Sequence, residues 1–124
     1  MKLEIIFSEF GSRDQANQQW INPLPRLDPT YSSVKKYFPE AKLILYTDRP
    51  EIKDDYEDIE VKIINVKNSP FSKDNHRWGW HCCDYYQVFG LLNSKADIAI
   101  SFDSDLMFTS NQVRTILPII KKFG

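Results

Sequence analysis

The chain has 124 residues, of which 42% are hydrophobic and 14% aromatic, and its formal net charge is −1 with a pI near 6.1. This length and composition can bury one hydrophobic core but hardly two, so we expect a single domain spanning residues 1–124. The near-neutral charge gives no basic field for a phosphate backbone, which argues against nucleic acid as the main partner.

No segment of the sequence is typical of a signal peptide or a membrane span. Glu4 and Glu9 interrupt the apolar run at the amino terminus, and no other run is long enough to cross a bilayer. Cys82 and Cys83 are adjacent and are the only cysteines, which suits neither a structural disulfide nor secretion. We therefore expect a cytoplasmic protein without a membrane span.

Strands and helices alternate along the chain. The apolar patterns predict strands over residues 3–8, 42–47, 61–66 and 98–102, and helices over 28–38 and 78–93. Asp28 and Pro29 are a cap and a first-turn proline, and residues 54–60 are acidic enough for a solvated loop. Ser110 is the expected cap of a last helix, which Pro118 would interrupt or kink.

This order of elements predicts a mainly parallel, three-layer α/β/α sheet with right-handed crossovers. The run over 98–102 is apolar or small throughout, which is typical of a strand covered on both faces. Several predicted strands end in polar residues, and the carboxyl ends of parallel strands are where open α/β sheets bind ligands. The sequence contains neither Gly-x-Gly-x-x-Gly nor a P-loop, so a metal and side chains would have to hold any phosphate.

Asp103 and Asp105 follow the last predicted strand. Because the two residues are two positions apart in an extended segment, their carboxylates point the same way. The carboxylates repel each other unless a cation lies between them. Hard oxygen ligands suit Mg²⁺ or Mn²⁺, so we expect a divalent ion here that bridges to a diphosphate. In the alternative interpretation, one Asp caps a following helix and the other is solvated.

The helix over 78–93 carries a second group of polar residues. Arg77, His81 and Asp84 are spaced i, i+4, i+7 and so share one helix face. Arg77 would bind phosphate, and Asp84 would orient it or contact a sugar hydroxyl; alternatively, both are surface residues. The expected core stripe, at a distance from this face, consists of Trp78, Cys82, Tyr85, Phe89 and Leu92.

Two other hypotheses for this helix are disfavoured. A zinc site would have to combine His76 with residues 81–83, but consecutive helical residues point about 100° apart and cannot converge on one ion. Tyr85 and Tyr86 would be able to stack on a base, although aromatic residues on a central helix more often belong to the core.

Three segments together resemble the GT-A fold glycosyltransferases: the strand end over residues 5–9, the helix segment over 77–87 and the Phe-Asp-Ser-Asp over 102–105. The resemblance implies a Rossmann-like GT-A fold in which Asp103 and Asp105 bind Mn²⁺ or Mg²⁺ on the diphosphate of a sugar nucleotide. It makes Asp105 the direct metal ligand. The residues that it places on base, ribose, phosphate and donor sugar are Phe7, Ser8, Glu9, Asp48, Arg77 and Asp84.

The resemblance implies a glycosyltransferase that takes its sugar from a UDP- or GDP-sugar. Only 19 residues follow Asp105, so the sequence corresponds to the amino-terminal, donor-binding half of such enzymes. Either the chain is a minimal or excised donor-binding domain, or a homo-oligomer or a second chain completes the site. One alternative is a non-catalytic module that binds nucleotide sugars. Another is an Asp-x-Asp phosphohydrolase, a class that has the motif near the chain start and further acids downstream.

Overall fold

The computed structural model of this chain describes residues 1–10, 27–48, 50, 52, 56, 58–65, 78–103 and 107–123, and every structural statement below concerns those residues. Strands and helices alternate in this part of the chain. The strands are β1 (Leu3–Glu9), β2 (Lys42–Thr47), β3 (Ile59–Ile63) and β4 (Ile98–Ser101). The helices are α1 (Leu27–Tyr37), α2 (Trp78–Asn93) and α3 (Ile116–Phe123), with a 3₁₀ turn over Asn111–Thr115 before α3.

The four strands form one sheet in the order β3-β2-β1-β4, and every neighbouring pair is parallel. The prediction of an α/β fold with a parallel sheet is therefore confirmed. β1 lies inside the sheet, where Ile5, Ile6 and Phe7 are all fully buried. β4 lies at the edge of the described sheet, and only its first residue, Ile98, is buried. The expected burial on both faces is thus found for the interior strands β1 and β2 instead, because the two core clusters cover both faces of the sheet there.

Helices lie on both faces of the sheet. Ile5 and Phe7 of β1 point to one face, in a core cluster that contains Phe38, the residue after α1. Ile6 points to the opposite face, where it packs in a second cluster with Cys82 of α2. Because successive strand residues alternate between faces, β1 connects the two clusters through its backbone.

The buried face of α2 differs from the predicted one. Tyr85, Phe89 and Leu92 of the predicted stripe are 41%, 40% and 80% exposed, whereas Cys82 and Tyr86 are buried against the sheet. Gly90 continues this buried face. Its missing side chain lets α2 approach so closely that an added Cβ would lie 2.8 Å from Ile6 Cγ2 and 2.9 Å from Tyr46 Cε2. The stripe prediction is confirmed for Cys82 and wrong for Tyr85, Phe89 and Leu92, and the Trp78 side chain lies outside what the structure describes. The close contact is made at a glycine, which a search for large apolar residues does not count.

β3 begins earlier than predicted. Its first residue, Ile59, is buried and pairs with Leu43 of β2, although residues 54–60 were expected to form an acidic, solvated loop. Glu60 forms an ion pair with Lys42 across the strands, with Nζ 2.8 Å from Oε2. This pairing places an acidic residue in an outer strand, where opposite charges on neighbouring strands stabilise the pairing.

The helix ends agree with the sequence only in part, since Asp28, the predicted cap, is the second residue of α1. Pro29 lies at the third position of α1 and Pro118 at the third position of α3, where proline removes no helical hydrogen bond. Pro118 therefore does not interrupt α3. Ser110 accepts a hydrogen bond from the Gln112 amide at 3.3 Å, which confirms the predicted cap, although the first turn that it caps is 3₁₀. None of the described helices combines the length and the apolar character that crossing a membrane requires.

Candidate functional site

β1 and β4 separate at their carboxyl ends. Their pairing runs from Leu3 opposite Ile98 to Ile6 opposite Ser101, and it ends with the Phe102 amide donating to the Ile6 carbonyl at 3.0 Å. β1 continues for three more residues that pair only with β2. The ladder between β1 and β4 therefore ends before β1 does, and we call the space between the last residues of β1 and residues 102–103 the crevice.

This crevice lies where the connections of the sheet reverse direction. From β1 the chain passes through α1, on one face, to β2 on one side of β1. From β3 it passes through α2, on the other face, to β4 on the opposite side of β1. In open α/β sheets, ligands bind in the crevice outside the carboxyl ends of the strands at such a switch point.

A glutamine of α2 joins the two sides of the crevice. Gln87 Nε2 donates to Ser8 Oγ on β1 at 3.2 Å and to Asp103 Oδ1 after β4 at 3.1 Å. Ser8 is buried, and its hydroxyl donates to the carbonyl oxygen of Cys83 at 2.9 Å. Asp103 is exposed. The carboxylate of Asp103 is thus accessible from solvent while one of its oxygens is held by the amide.

The Cys83 thiol belongs to the same contact between α2 and β1. Its Sγ donates to the Ser8 carbonyl oxygen at 3.7 Å. Burial raises the pKa of the Cys83 thiol to about 12, and the negative charge of Glu9 adds to the shift. The thiol therefore stays protonated near neutral pH and is a poor nucleophile.

The predicted residues after β1 and β2 lie along one edge of the sheet. Ser8 and Glu9 end β1, and Asp48, which is buried, directly follows the adjacent strand β2. Phe7 is fully buried in the core on the α1 face, so its side chain does not reach this edge. The side chains of Phe7 and Ser8 are thus both used inside the fold, and a ligand at this edge would meet their backbone.

Two of the predicted site residues, Arg77 and Asp105, lie outside the described residues. The chain on either side of residues 104–106 is nevertheless anchored. Phe102 and Phe108 pack edge to face with ring centroids 4.7 Å apart, and the Phe108 amide donates to Ser33 Oγ on α1 at 3.0 Å. The fold therefore fixes both ends of the segment that contains the Asp-x-Asp.

Asp84 lies on the outer side of α2. Together with His81 it lines a largely apolar groove of about 500 Å³, whose other lining residues are Tyr85, Val88, Phe89 and Leu92. The expectation that His81 and Asp84 would be separated from the aromatic stripe was wrong, because α2 buries a different face. The proposed pairing of Asp84 with Arg77 on a phosphate stays a prediction.

Comparisons of the sequence with models of protein families and with curated proteins find no match. The resemblance to GT-A glycosyltransferases therefore depends on its motifs alone. The function has to be argued from the crevice and from the side chains around it.

Sequence reasoning did not identify Gln87. The available signal was its position, one helical turn after Cys83 on a helix that contains no Lys, Arg or Glu and only one Asp. A polar residue beside the buried face of such a helix must find a hydrogen-bond partner in the sheet or at its edge. That partner became recognisable only when the crevice between β1 and β4 was known.

Proposed function

We propose that this chain binds a nucleoside-diphosphate sugar together with a divalent cation, as the donor-binding part of a metal-dependent glycosyltransferase with a three-layer, Rossmann-like GT-A fold. The supporting observation is the crevice at the switch point between β1 and β4, where the exposed carboxylate of Asp103 is held by Gln87. A mononucleotide at this position would lie across the carboxyl ends of β2, β1 and β4.

In this proposal Asp103 and Asp105 bind Mn²⁺ or Mg²⁺. Proteins usually hold Mg²⁺ through one or two carboxylates, with water and substrate phosphates completing the coordination. When bound, the cation would neutralise charge on the diphosphate. The contribution of the protein is to place the carboxylates at the crevice.

The resemblance assigns the other predicted residues to the nucleotide sugar. Glu9, the last residue of β1, and Asp48, directly after β2, are proposed to bind a base and a ribose. Ser8 and Phe7 would contribute backbone groups at the same edge. Arg77 and Asp84 are proposed to bind the phosphates and the donor sugar.

The binding part of the proposal is tested by isothermal titration calorimetry with UDP and GDP. We expect binding in millimolar Mn²⁺ that is lost in EDTA. Asp105→Asn should weaken it more than Asp103→Asn does, because the resemblance makes Asp105 the direct ligand. Asp97→Asn is the matched control: Asp97 is exposed at the opposite end of the same strand, where its carboxylate accepts from the Lys2 amide. Equal affinity in Mn²⁺ and EDTA would refute the proposal.

Titration with UDP- and GDP-sugars would then separate the two versions of this function. A glycosyltransferase should hydrolyse the sugar nucleotide slowly or transfer the sugar to an added acceptor, and this turnover should require the cation. A non-catalytic module should bind with the same metal dependence and release the donor unchanged. Chromatography of the nucleotide products distinguishes these outcomes.

A further inference from the structure

Gln87 is the one described side chain that contacts both sides of the crevice. Its amide nitrogen lies 3.2 Å from Ser8 Oγ on β1 and 3.1 Å from Asp103 Oδ1 beyond β4. The backbones of β1 and β4 no longer pair at this point, since their ladder ends at Ile6. The distance between the two sides is therefore bridged from the helix rather than from within the sheet.

The hydrogen bonds determine which way the amide of Gln87 faces. A serine hydroxyl has one proton, and that of Ser8 is donated to the Cys83 carbonyl oxygen at 2.9 Å. Ser8 Oγ must therefore accept from Gln87, and only the nitrogen side of an amide donates. One amide hydrogen goes to Ser8 and the other to Asp103, so both donors are used. The fold thus fixes the amide, and the amide in turn fixes one oxygen of Asp103.

We propose that Gln87 is a positioning residue for the cation site: it holds Asp103 Oδ1 so that Oδ2 faces the crevice. This inference rests on the function proposed above. An exposed aspartate that is free to rotate must lose that freedom when it binds an ion, whereas a carboxylate held by a fixed donor has already lost it. Removing a group that orients a metal ligand typically weakens metal binding by about 10- to 100-fold.

The test is a titration of the protein with Mn²⁺ in the presence of UDP, in which electron paramagnetic resonance measures the concentration of the free ion. Gln87→Met keeps the length of the side chain and removes both donors, and we expect it to weaken Mn²⁺ binding by about 10- to 100-fold. Cys83→Ala is the matched control. It removes a neighbouring contact between α2 and β1, the thiol to the Ser8 carbonyl, and leaves the hydrogen bond between Gln87 and Asp103 in place. Its Mn²⁺ affinity should equal that of the wild type.

A double-mutant cycle separates positioning from a general structural role. If Gln87 acts through Asp103, then Gln87→Met should cost little further affinity in an Asp103→Asn background. If it merely joins α2 to β1, the two losses should add. Melting curves of all variants establish that each is folded at the temperature of the titration. Should Gln87→Met not fold, Gln87→Asn keeps an amide that is one methylene too short to reach both partners, and the same loss is expected.

The outcomes distinguish the two proposals. A wild-type protein that binds no Mn²⁺ with UDP would overturn the proposed function and the role of Gln87 with it. Wild-type binding that is unchanged in Gln87→Met, reduced equally in Cys83→Ala, or additive with Asp103→Asn would overturn the positioning role alone.

Discussion

Replacing Gly90 with alanine tests the packing that brings α2 onto the sheet. The added Cβ would lie 2.8 Å from Ile6 Cγ2 and 2.9 Å from Tyr46 Cε2, about 0.7 Å closer than the shortest ordinary carbon contacts of about 3.5 Å. Neither neighbour can easily move aside. Ile6 is β-branched and fully buried, and the Tyr46 ring is buried and stacked on Tyr86 with centroids 5.9 Å apart.

Two effects of opposite sign determine the change in stability. Overpacking of a filled core typically costs about 1–3 kcal/mol. Alanine in a helix interior is favoured over glycine by about 1 kcal/mol. Because the added methyl group overlaps two stiff side chains at once, we expect the cost of overpacking to lie in the upper half of its range. After subtraction of the helix preference for alanine, Gly90→Ala should lower the free energy of unfolding by about 1–2 kcal/mol.

The free energy of unfolding of each variant is measured by urea denaturation. Variants are compared when their unfolding free energies depend on urea concentration with the same slope. An internal control comes from Val88, which is 56% exposed on the same helix. The difference between Val88→Gly and Val88→Ala gives the gain from glycine to alanine where there is no overlap, and it should favour alanine by about 1 kcal/mol. Gly90→Ala should have the opposite sign. If Gly90→Ala stabilises the protein by as much as the change at position 88, the close approach of α2 is refuted.

Two further predictions concern an ion pair and the two thiols. Arg114 donates to Glu40 Oε1 and to the Tyr37 carbonyl oxygen, and the hydrogen bond to Glu40 holds the pKa of that carboxyl below its usual value. Arg114→Ala should therefore lower the free energy of unfolding, measured by urea denaturation at pH 7, by about 1–2 kcal/mol. The part of this stabilisation that comes from ionised Glu40 is present above pH 4.5 and is lost as the pH falls through the lowered pKa. The destabilisation by Arg114→Ala should therefore be smaller in acid. A destabilisation that does not change with pH would contradict the pairing. Cys82 is fully buried and the pKa of Cys83 is raised to about 12, so native protein at pH 8 should not react with iodoacetamide while unfolded protein reacts at both thiols, as mass spectrometry would show. Labelling of the native protein at the unfolded rate would mean that α2 is not packed as described.

The sequence predicted the elements whose apolar pattern is continuous. β2 and α2 begin and end at the predicted residues, because each is a run of apolar residues between polar boundaries. The start of β3 was not predicted, because an acidic residue such as Glu60 indicates a solvated loop when its ion pair with Lys42 is not known. The orientation of α2 was missed for a related reason: it is determined by the contact of Gly90 with Ile6 and Tyr46, and a glycine adds nothing to a hydrophobic pattern.

The candidate site was predictable only in its carboxylate. Asp103 was found because a polar residue at the end of an apolar strand is visible in the local sequence. Gln87 was not, because its function depends on the separation of β1 and β4, and no local pattern records where two distant segments stop pairing. Ser8 was predicted to contact a ligand because of its position at a strand end. Its hydroxyl instead forms hydrogen bonds with the Cys83 carbonyl oxygen and the Gln87 amide.

The features that pack α2 and those that shape the crevice occur on successive turns of the same helix. Cys83 joins the helix to β1, Gln87 reaches across the crevice one turn later, and Gly90 brings the next turn against Ile6. A hydrogen bond near 3.1 Å weakens when its donor moves by even a few tenths of an ångström. The geometry at Asp103 is therefore set by how closely α2 approaches the sheet. A change at Gly90, on the turn after Gln87, should loosen the hold of Gln87 on the carboxylate and so affect the proposed cation site through packing.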